Sequence, residues 1–279
     1  MFDPLAVELC MRLSAPAKIN LYLEVLGRRE DGFHALETIF QTLQLADSID
    51  LTVDPATAGI ALTCSDPTIP ADDSNLVWRA AAAMVALRPE LGGVRLHLNK
   101  LIPHGAGLGG GSSDAASVLV ALNQCVATPL SSVQMAEIAL KLGSDVPFFL
   151  LGGTAYATGR GEILTALSPV PTLPVTILMP KVHLPTPTVF RALNDSERGP
   201  RPPRGVQWVR ENSKIPALLL HNRLTSAAQR CCPEVGELLG WLQTQKVPHL
   251  MSGSGAACFA LAHVAPPPGV RAWHTCTVS

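Results

Sequence analysis

The sequence predicts an α+β protein. Its strands alternate strictly between apolar and polar residues, its helices carry apolar stripes, and no regular strand–helix–strand repeat runs through it. Gly (22) and Pro (24) fill about a sixth of the 279 residues, which favours many turns and argues against a helical bundle. Apolar residues reach 47% and charged residues only 15%, enough to build a core and too little charge for a disordered chain. Lys and Arg total 21 against 22 Asp and Glu, a net charge of −1, so no broad positive field draws nucleic acid.

The chain opens MFDPLAVELCMRLSAPAK, with Asp3 and Glu8 where a secretory leader needs a basic start and an apolar run. Ile19, Leu21, Leu23 and Val25 then alternate with Asn20, Tyr22 and Glu24, a half-buried strand by period. Ile49, Leu51 and Val53 repeat the pattern against Asp50, Thr52 and Asp54, and Val94, Leu96 and Leu98 repeat it against Arg95, His97 and Asn99. Between them the alanine-rich stretch 75–87 predicts a helix closed by Arg88-Pro89. Further helices are expected over 113–126 and 132–142, the latter capped by Ser131 or Ser132 and stopped by Gly143.

Three prolines within 168–174 mark a junction, so the predicted domains are 1–168 and 169–279. A strand follows over 175–179, a mobile loop over 195–205 (DSERGPRPPRG, with no core-forming residue), helices over 216–231 and 234–245, and strand-like residues after the glycines at 253 and 255. The two longest uncharged stretches, 163–180 and 250–270, are broken by prolines and glycines and do not read as membrane spans. Seven scattered cysteines without a CxxC pair fit a reducing compartment, and eight histidines without HExxH offer no catalytic zinc site. The expectation is a soluble, cytoplasmic protein with no membrane partner.

The run from Pro103 to Asp114, PHGAGLGGGSSD, holds the chemistry. Gly105, Gly107, Gly109, Gly110 and Gly111 crowd into seven positions, followed by Ser112, Ser113 and a helix. Glycines let a ligand approach the main chain, and a helix N-terminus presents unpaired N–H groups with a positive dipole end, so the pattern suits a polyphosphate. Ser112 and Ser113 can donate to phosphate or reach a phosphate-bound Mg²⁺. GxGxxG fits formally, yet Pro103 breaks the lead-in and 115–135 contains no acid for a dinucleotide's ribose. No lysine follows the glycines, so a Walker A loop is excluded. A plain glycine hinge is the remaining alternative, but it does not require serines opening a helix.

PHGAGLGGGSSDAAS resembles the phosphate-binding motif of the GHMP kinase superfamily. APAKINLYLEVLGRREDGFHALETIF resembles the superfamily's first motif and MSGSGAACFAL its third, in the same order, so the likeness covers most of the chain. DGFHALETIF with GSDVPFFLLGGTAYATGRGE is similar to the subfamily that phosphorylates a cytidine-diphosphate sugar alcohol in non-mevalonate isoprenoid synthesis. The resemblance implies a ribosomal-protein-S5-like N-terminal domain, a ferredoxin-like C-terminal domain, ATP and Mg²⁺ as cofactors, and a small-molecule substrate. After Leu261 the chain is short and proline-broken where family members carry a further helix and strand, so the second domain is expected to lack a helix.

Phosphoryl transfer to an alcohol needs a held phosphate, an aligned hydroxyl and relief of developing charge. Asp145, followed by the apolar 146–149, is the candidate general base, and Lys18, entering the first strand, the candidate charge partner. The resemblance assigns the family's Asp and Lys pair to these positions; without it they read as a turn former and a solvated cation. Asp114 is a rival acid, expected first to cap its helix and second to serve a metal.

The phosphate cradle is expected to run over Pro103, Gly105, Gly107, Leu108, Gly109, Gly110, Gly111, Ser112 and Ser113, with Asn75 and Lys100 as weaker adenine candidates. Asn75 is equally a helix cap. Phe33 offers a stacking face to cytosine and His34 a hydrogen-bonding edge, where the family usually has Tyr before that His. Phe190, with Thr186 nearby, resembles the opposite wall, Asn20 is placed to orient the sugar alcohol, and Ser254 to support the phosphate loop. The sequence assigns no metal ligand and no oligomeric state.

Overall fold

The computed structural model describes residues 8–194, 197 and 220–278. Two compact units interleave along the chain: unit 1 takes Met1–Pro16, Ala46–Ile102 and Gly110–Leu150, and unit 2 takes Ala17–Leu45, Pro103–Gly109 and Leu151–Ser279. The expected boundary at 168 falls inside unit 2. Two long strands, β1 (Leu9–Arg28) and β2 (His34–Asp54), contribute residues to both.

In unit 1 the later part of β2 pairs antiparallel with β4 (Gly93–Asn99), and β3 (Ile60–Cys64) lies parallel on the other side of β4. Register sets Ile49 opposite Leu98, Leu51 opposite Leu96 and Val53 opposite Val94. All six side chains are buried, as period-two alternation requires. They pack against α1 (Leu76–Leu87), α2 (Gly110–Gln124) and α3 (Ser132–Leu142). Alanines at 80, 81, 115 and 116 are buried between these elements, where small side chains allow close approach. The Ser131 hydroxyl and Gln134 amide make a reciprocal capping box on α3, and Gly143 ends that helix. Helix α2 begins at Gly110, three residues earlier than expected, because its glycine–serine first turn carries no apolar signal. A short helix, α4 (Val146–Leu151), follows.

Unit 1 also buries a charge cluster. Lys100, its side chain 7% exposed, donates to Asp47 and, at 2.7 Å, to Asp114. Asp47 also accepts the Ile102 N–H at 2.8 Å, tying β2 to the end of β4. Burial pushes the Asp114 carboxyl up to about 7 against the pull of the Lys100 ammonium, and Asp47 adds to the rise. Burial works against the charge on Lys100, but its two carboxylates outweigh it and lift the ammonium above its ordinary range.

In unit 2 the hairpin of β5 (Thr154–Thr158) and β6 (Ile163–Ala166) pairs antiparallel with β2 at Thr38–Gln41. A four-stranded antiparallel sheet runs in the order β11 (Arg271–Cys276), β7 (Pro174–Met179), β10 (Cys258–Ala260), β9 (His249–Met251). Its core takes Leu178, Met251, Cys258 and Ala260 with residues of α5 (Thr186–Arg191), α6 (Thr225–Cys231) and α7 (Pro233–Thr244). The proline-broken end thus keeps its strand, β11, and no described helix separates it from β10. The helix expected over 216–231 starts only at Thr225, because His221–Asn222 form β8 instead. The rest of that expectation, and the loop expected over 195–205 apart from Glu197, lie outside the described residues. Among the described residues no helix is long and apolar enough to cross a membrane.

The expected half-buried strand is buried on both faces: Asn20, Tyr22 and Glu24 are each at most 5% exposed. Glu24 is the costliest of these to bury and has the most partners. It accepts two hydrogen bonds from the Arg223 guanidinium, at 2.5 and 2.8 Å, and one His221 contact at 3.2 Å. Burial alone would raise its carboxyl, but the hydrogen bonds from His221 and Arg223 bring it down to about 2.

A depressed carboxyl contributes stability above its unfolded value and loses it as pH falls through the folded one. The stability advantage over Glu24→Gln should therefore be about 2–3 kcal/mol at neutral pH and vanish between about pH 4.5 and 2 in urea titrations. Lys100→Met strands two buried carboxylates and should cost about 3–5 kcal/mol in the same assay, with the deficit shrinking as pH falls and the carboxyls take up protons.

Candidate active site

The glycine run crosses from unit 2, which holds Pro103–Gly109, into unit 1 at Gly110. Its first part has few side chains of its own and takes its shape from a turn over Ser252–Gly255. The Ser252 hydroxyl donates to the Gly107 carbonyl at 3.0 Å, and the Ala257 N–H donates to the Ala106 carbonyl at 3.3 Å. Gly107 has φ +76°, and a Cβ there would stand 2.2 Å from the Ser252 carbonyl oxygen, so no other residue fits. Ala106 and Leu108 are buried and anchor the loop, while Gly105 is exposed. These contacts hold the loop in place, so it is not a free hinge.

Lys18 joins the same loop, its N–H donating to the Leu108 carbonyl at 2.9 Å. Its side chain is buried, contrary to the solvated alternative: the ammonium donates to Asn20 Oδ1 at 2.7 Å and lies 5.1 Å above the Phe40 ring. The Asn20 amide donates to Thr38 Oγ1 at 2.8 Å, and that hydroxyl donates to the Tyr22 carbonyl at 2.6 Å. Asn20 is thus oriented at both ends, and its Oδ1 would lie 3.5 Å from a Cβ on Gly253. Ser254 shares a 2.7 Å hydrogen bond with the Thr186 hydroxyl. Thr186 is therefore linked to the turn beneath the glycine loop.

The remaining part of the run opens α2. Gly110 and Ser112 are half-buried and Gly111 is exposed. Ser113 is fully buried, and its hydroxyl finds no partner among the described residues. Asp114 does not cap the helix; it is the Lys100 partner, and its Oδ1 has no partner among the described residues. Asp145 is half-buried in the turn entering α4, where the Val146 N–H donates to the Gly143 carbonyl at 3.2 Å.

Both adenine candidates have structural work. Asn75 caps α1, accepting the Val77 N–H at 2.9 Å, and its amide donates to the Pro70 carbonyl at 2.7 Å. The Lys100 ammonium is engaged by Asp47 and Asp114. Single-residue patterns for a cap and for an ion pair look the same as those for a ligand contact, which is why the sequence left them open.

The aromatic candidates are arranged differently from a ready-made sandwich. Phe33 is 50% exposed at the tip joining β1 to β2, and the Arg160 guanidinium lies 4.5 Å above its ring. His34 stacks on Phe190 with centroids 4.9 Å apart and planes at 27°. Sequence reasoning expected the imidazole edge to do the recognising and did not single out Arg160, Thr38, Phe40 or Asn222. The GRGE run held Arg160 in plain view, but nothing local shows that it reaches Phe33.

Residues 75–153 match the family described as the GHMP kinases N terminal domain. The 4-diphosphocytidyl-2-C-methyl-D-erythritol kinase of Citrifermentans bemidjiense is 40% identical over 254 residues, 90% of this chain and 89% of that protein. A crystal structure of 4-(cytidine 5'-diphospho)-2C-methyl-D-erythritol kinase superposes with TM-score 0.79 at 37% identity, covering 96% of this chain and all of that one. The homoserine kinase of Cytophaga hutchinsonii, at 20% identity and TM-score 0.67 over 91% of this chain and 86% of its own, shares the fold. A cradle built from bare main chain, a buried lysine bonded to it, and likeness across nine tenths of the sequence agree: the chain belongs to the 4-diphosphocytidyl-2-C-methyl-D-erythritol kinase family of GHMP kinases.

Proposed function

We propose that the protein transfers the γ-phosphoryl group of ATP to the 2-hydroxyl of 4-diphosphocytidyl-2-C-methyl-D-erythritol. The observation that carries this reading is the glycine loop, fixed main chain to main chain on the 252–255 turn with Lys18 bonded to it. Loop N–H groups from Gly105 to Ser113 hold the phosphates, and the N-terminus of α2 adds its dipole. A phosphoryl group in transfer is loosely bonded at both ends, so positioning and charge do most of the work.

Lys18 offsets the charge on the transferred group. Its burial strengthens that effect, because the surrounding dielectric is low. Asp145 accepts the hydroxyl proton as oxygen attacks phosphorus and the bond to the ADP oxygen breaks. Asn20, locked by Thr38, orients the sugar alcohol. Phe33, His34 and Phe190 receive the cytosine, and Thr186 lines the same region.

Mg²⁺ suits the residues present. Hard oxygen donors suit it, and the Ser112 and Ser113 hydroxyls open α2, that of Ser113 buried and with no partner among the described residues. The ATP phosphates and the half-buried Ser112 hydroxyl would hold it. When bound it neutralises phosphate charge.

An ADP-release assay tests the reading. The cytidine-diphosphate sugar alcohol should be turned over in preference to mevalonate, homoserine and galactose; preference for any of those overturns the substrate assignment. Asp145→Asn should keep ATP binding and lower kcat by about 10²–10⁴-fold, and near-normal turnover removes Asp145 from the base role. Phe33→Ala should raise KM for the cytidylyl substrate more than KM for ATP; equal effects count against the aromatic pocket.

A further inference from the structure

We propose that Asn222 is a positioning residue for phosphoryl transfer, setting the glycine loop through the turn beneath it; the proposal rests on that loop's holding the ATP phosphates. Asn222 sits in β8, a strand of two residues paired parallel with β1 at Tyr22 and Leu23. So short a ladder holds little by itself, and side chains do the rest. His221 and Arg223 grip Glu24. Between them Asn222, 6% exposed, makes its contacts with the glycine turn instead, as alternation along a strand allows.

Its amide is fully used. One N–H donates to the Met251 carbonyl at 2.8 Å, the other to the Gly253 carbonyl at 2.7 Å, and Oδ1 accepts the Leu224 N–H at 2.9 Å. The two carbonyls flank Ser252 in the chain. Ser252 is the residue whose hydroxyl binds the Gly107 carbonyl and whose own carbonyl oxygen fills the space a Gly107 side chain would need. Asn222 therefore clamps both sides of the residue whose carbonyl packs on Gly107. The glycines of the loop have no side chains with which to hold their own main chain, and donors aimed at a transferring phosphate act only if they are fixed in advance.

Asn222→Asp keeps the shape and the acceptor for Leu224 but replaces the nitrogen that carries both donors with one oxygen facing two carbonyl oxygens. In steady-state assays of the full chain it should raise KM for ATP at least about 10-fold while KM for the cytidylyl substrate stays within about twofold, with one cooperative thermal transition retained. Hydrogen exchange on the unaltered protein provides a second arm that needs no variant. A nonhydrolysable ATP analogue should slow exchange in 103–111 and, with it, in 220–224 and 250–257. Slowing confined to 103–111, a folded Asn222→Asp with unchanged KM for ATP, or one with both KM values raised alike overturns the role of Asn222. No slowing at 103–111 instead overturns the phosphate-loop assignment beneath it.

Discussion

The site depends on one close contact between two pieces of main chain. Gly107 rests against the Ser252 carbonyl with no room for a side-chain atom, and the Ser252 hydroxyl returns a hydrogen bond to the Gly107 carbonyl. Residues 145 positions apart thereby build a cradle that local sequence cannot. The price is conformational freedom, since glycines are the residues most costly to order, and the surrounding bonds from Lys18 and Ala257 keep the segment in one shape.

Buried polar groups carry much of the remaining specification. Lys18 and Asn20, Glu24 held by Arg223 and the part-exposed His221, and Lys100 with its two aspartates are the main ones. Such groups add little net stability when paired and are severe to strand, so they favour one arrangement over its near neighbours. Each also tethers chain segments far apart in sequence, as Glu24 does with Arg223 and Asp47 with Ile102.

Much of this was legible beforehand, and the failures have physical causes. Alternation at 49–53 and 94–98 placed those strands with their buried faces correct, and Ser131 and Gly143 marked the ends of α3. The same alternation at 19–25 was read as one wet face, because a polar side chain buried with a partner looks identical in sequence to one in water. Asn75 and Lys100 show the same ambiguity from the other side, their polar atoms being occupied by a cap and an ion pair. The glycine loop was recognisable because five glycines and two serines leave few other uses. Asn222 was not, since its partners lie 29 and 31 residues away and its neighbours look helical. The roles proposed for Asp145 and Lys18 rest on the family resemblance; local pattern alone favours a turn and a surface charge.

Arg160 above Phe33 changes how occupancy of that ring is understood. A flat heterocycle settling on the covered side trades places with a planar cation, so measured affinity reports an exchange of partners and is smaller by the about 0.5–1 kcal/mol that the displaced pair was worth. The displaced guanidinium, which lies 4.0 Å from Glu162, would then stand next to the newcomer. If Phe33 receives the base as proposed, a ligand carrying its own anionic groups would recover that loss and an uncharged nucleoside would not, a preference for charge that needs no dedicated anion hole at the ring.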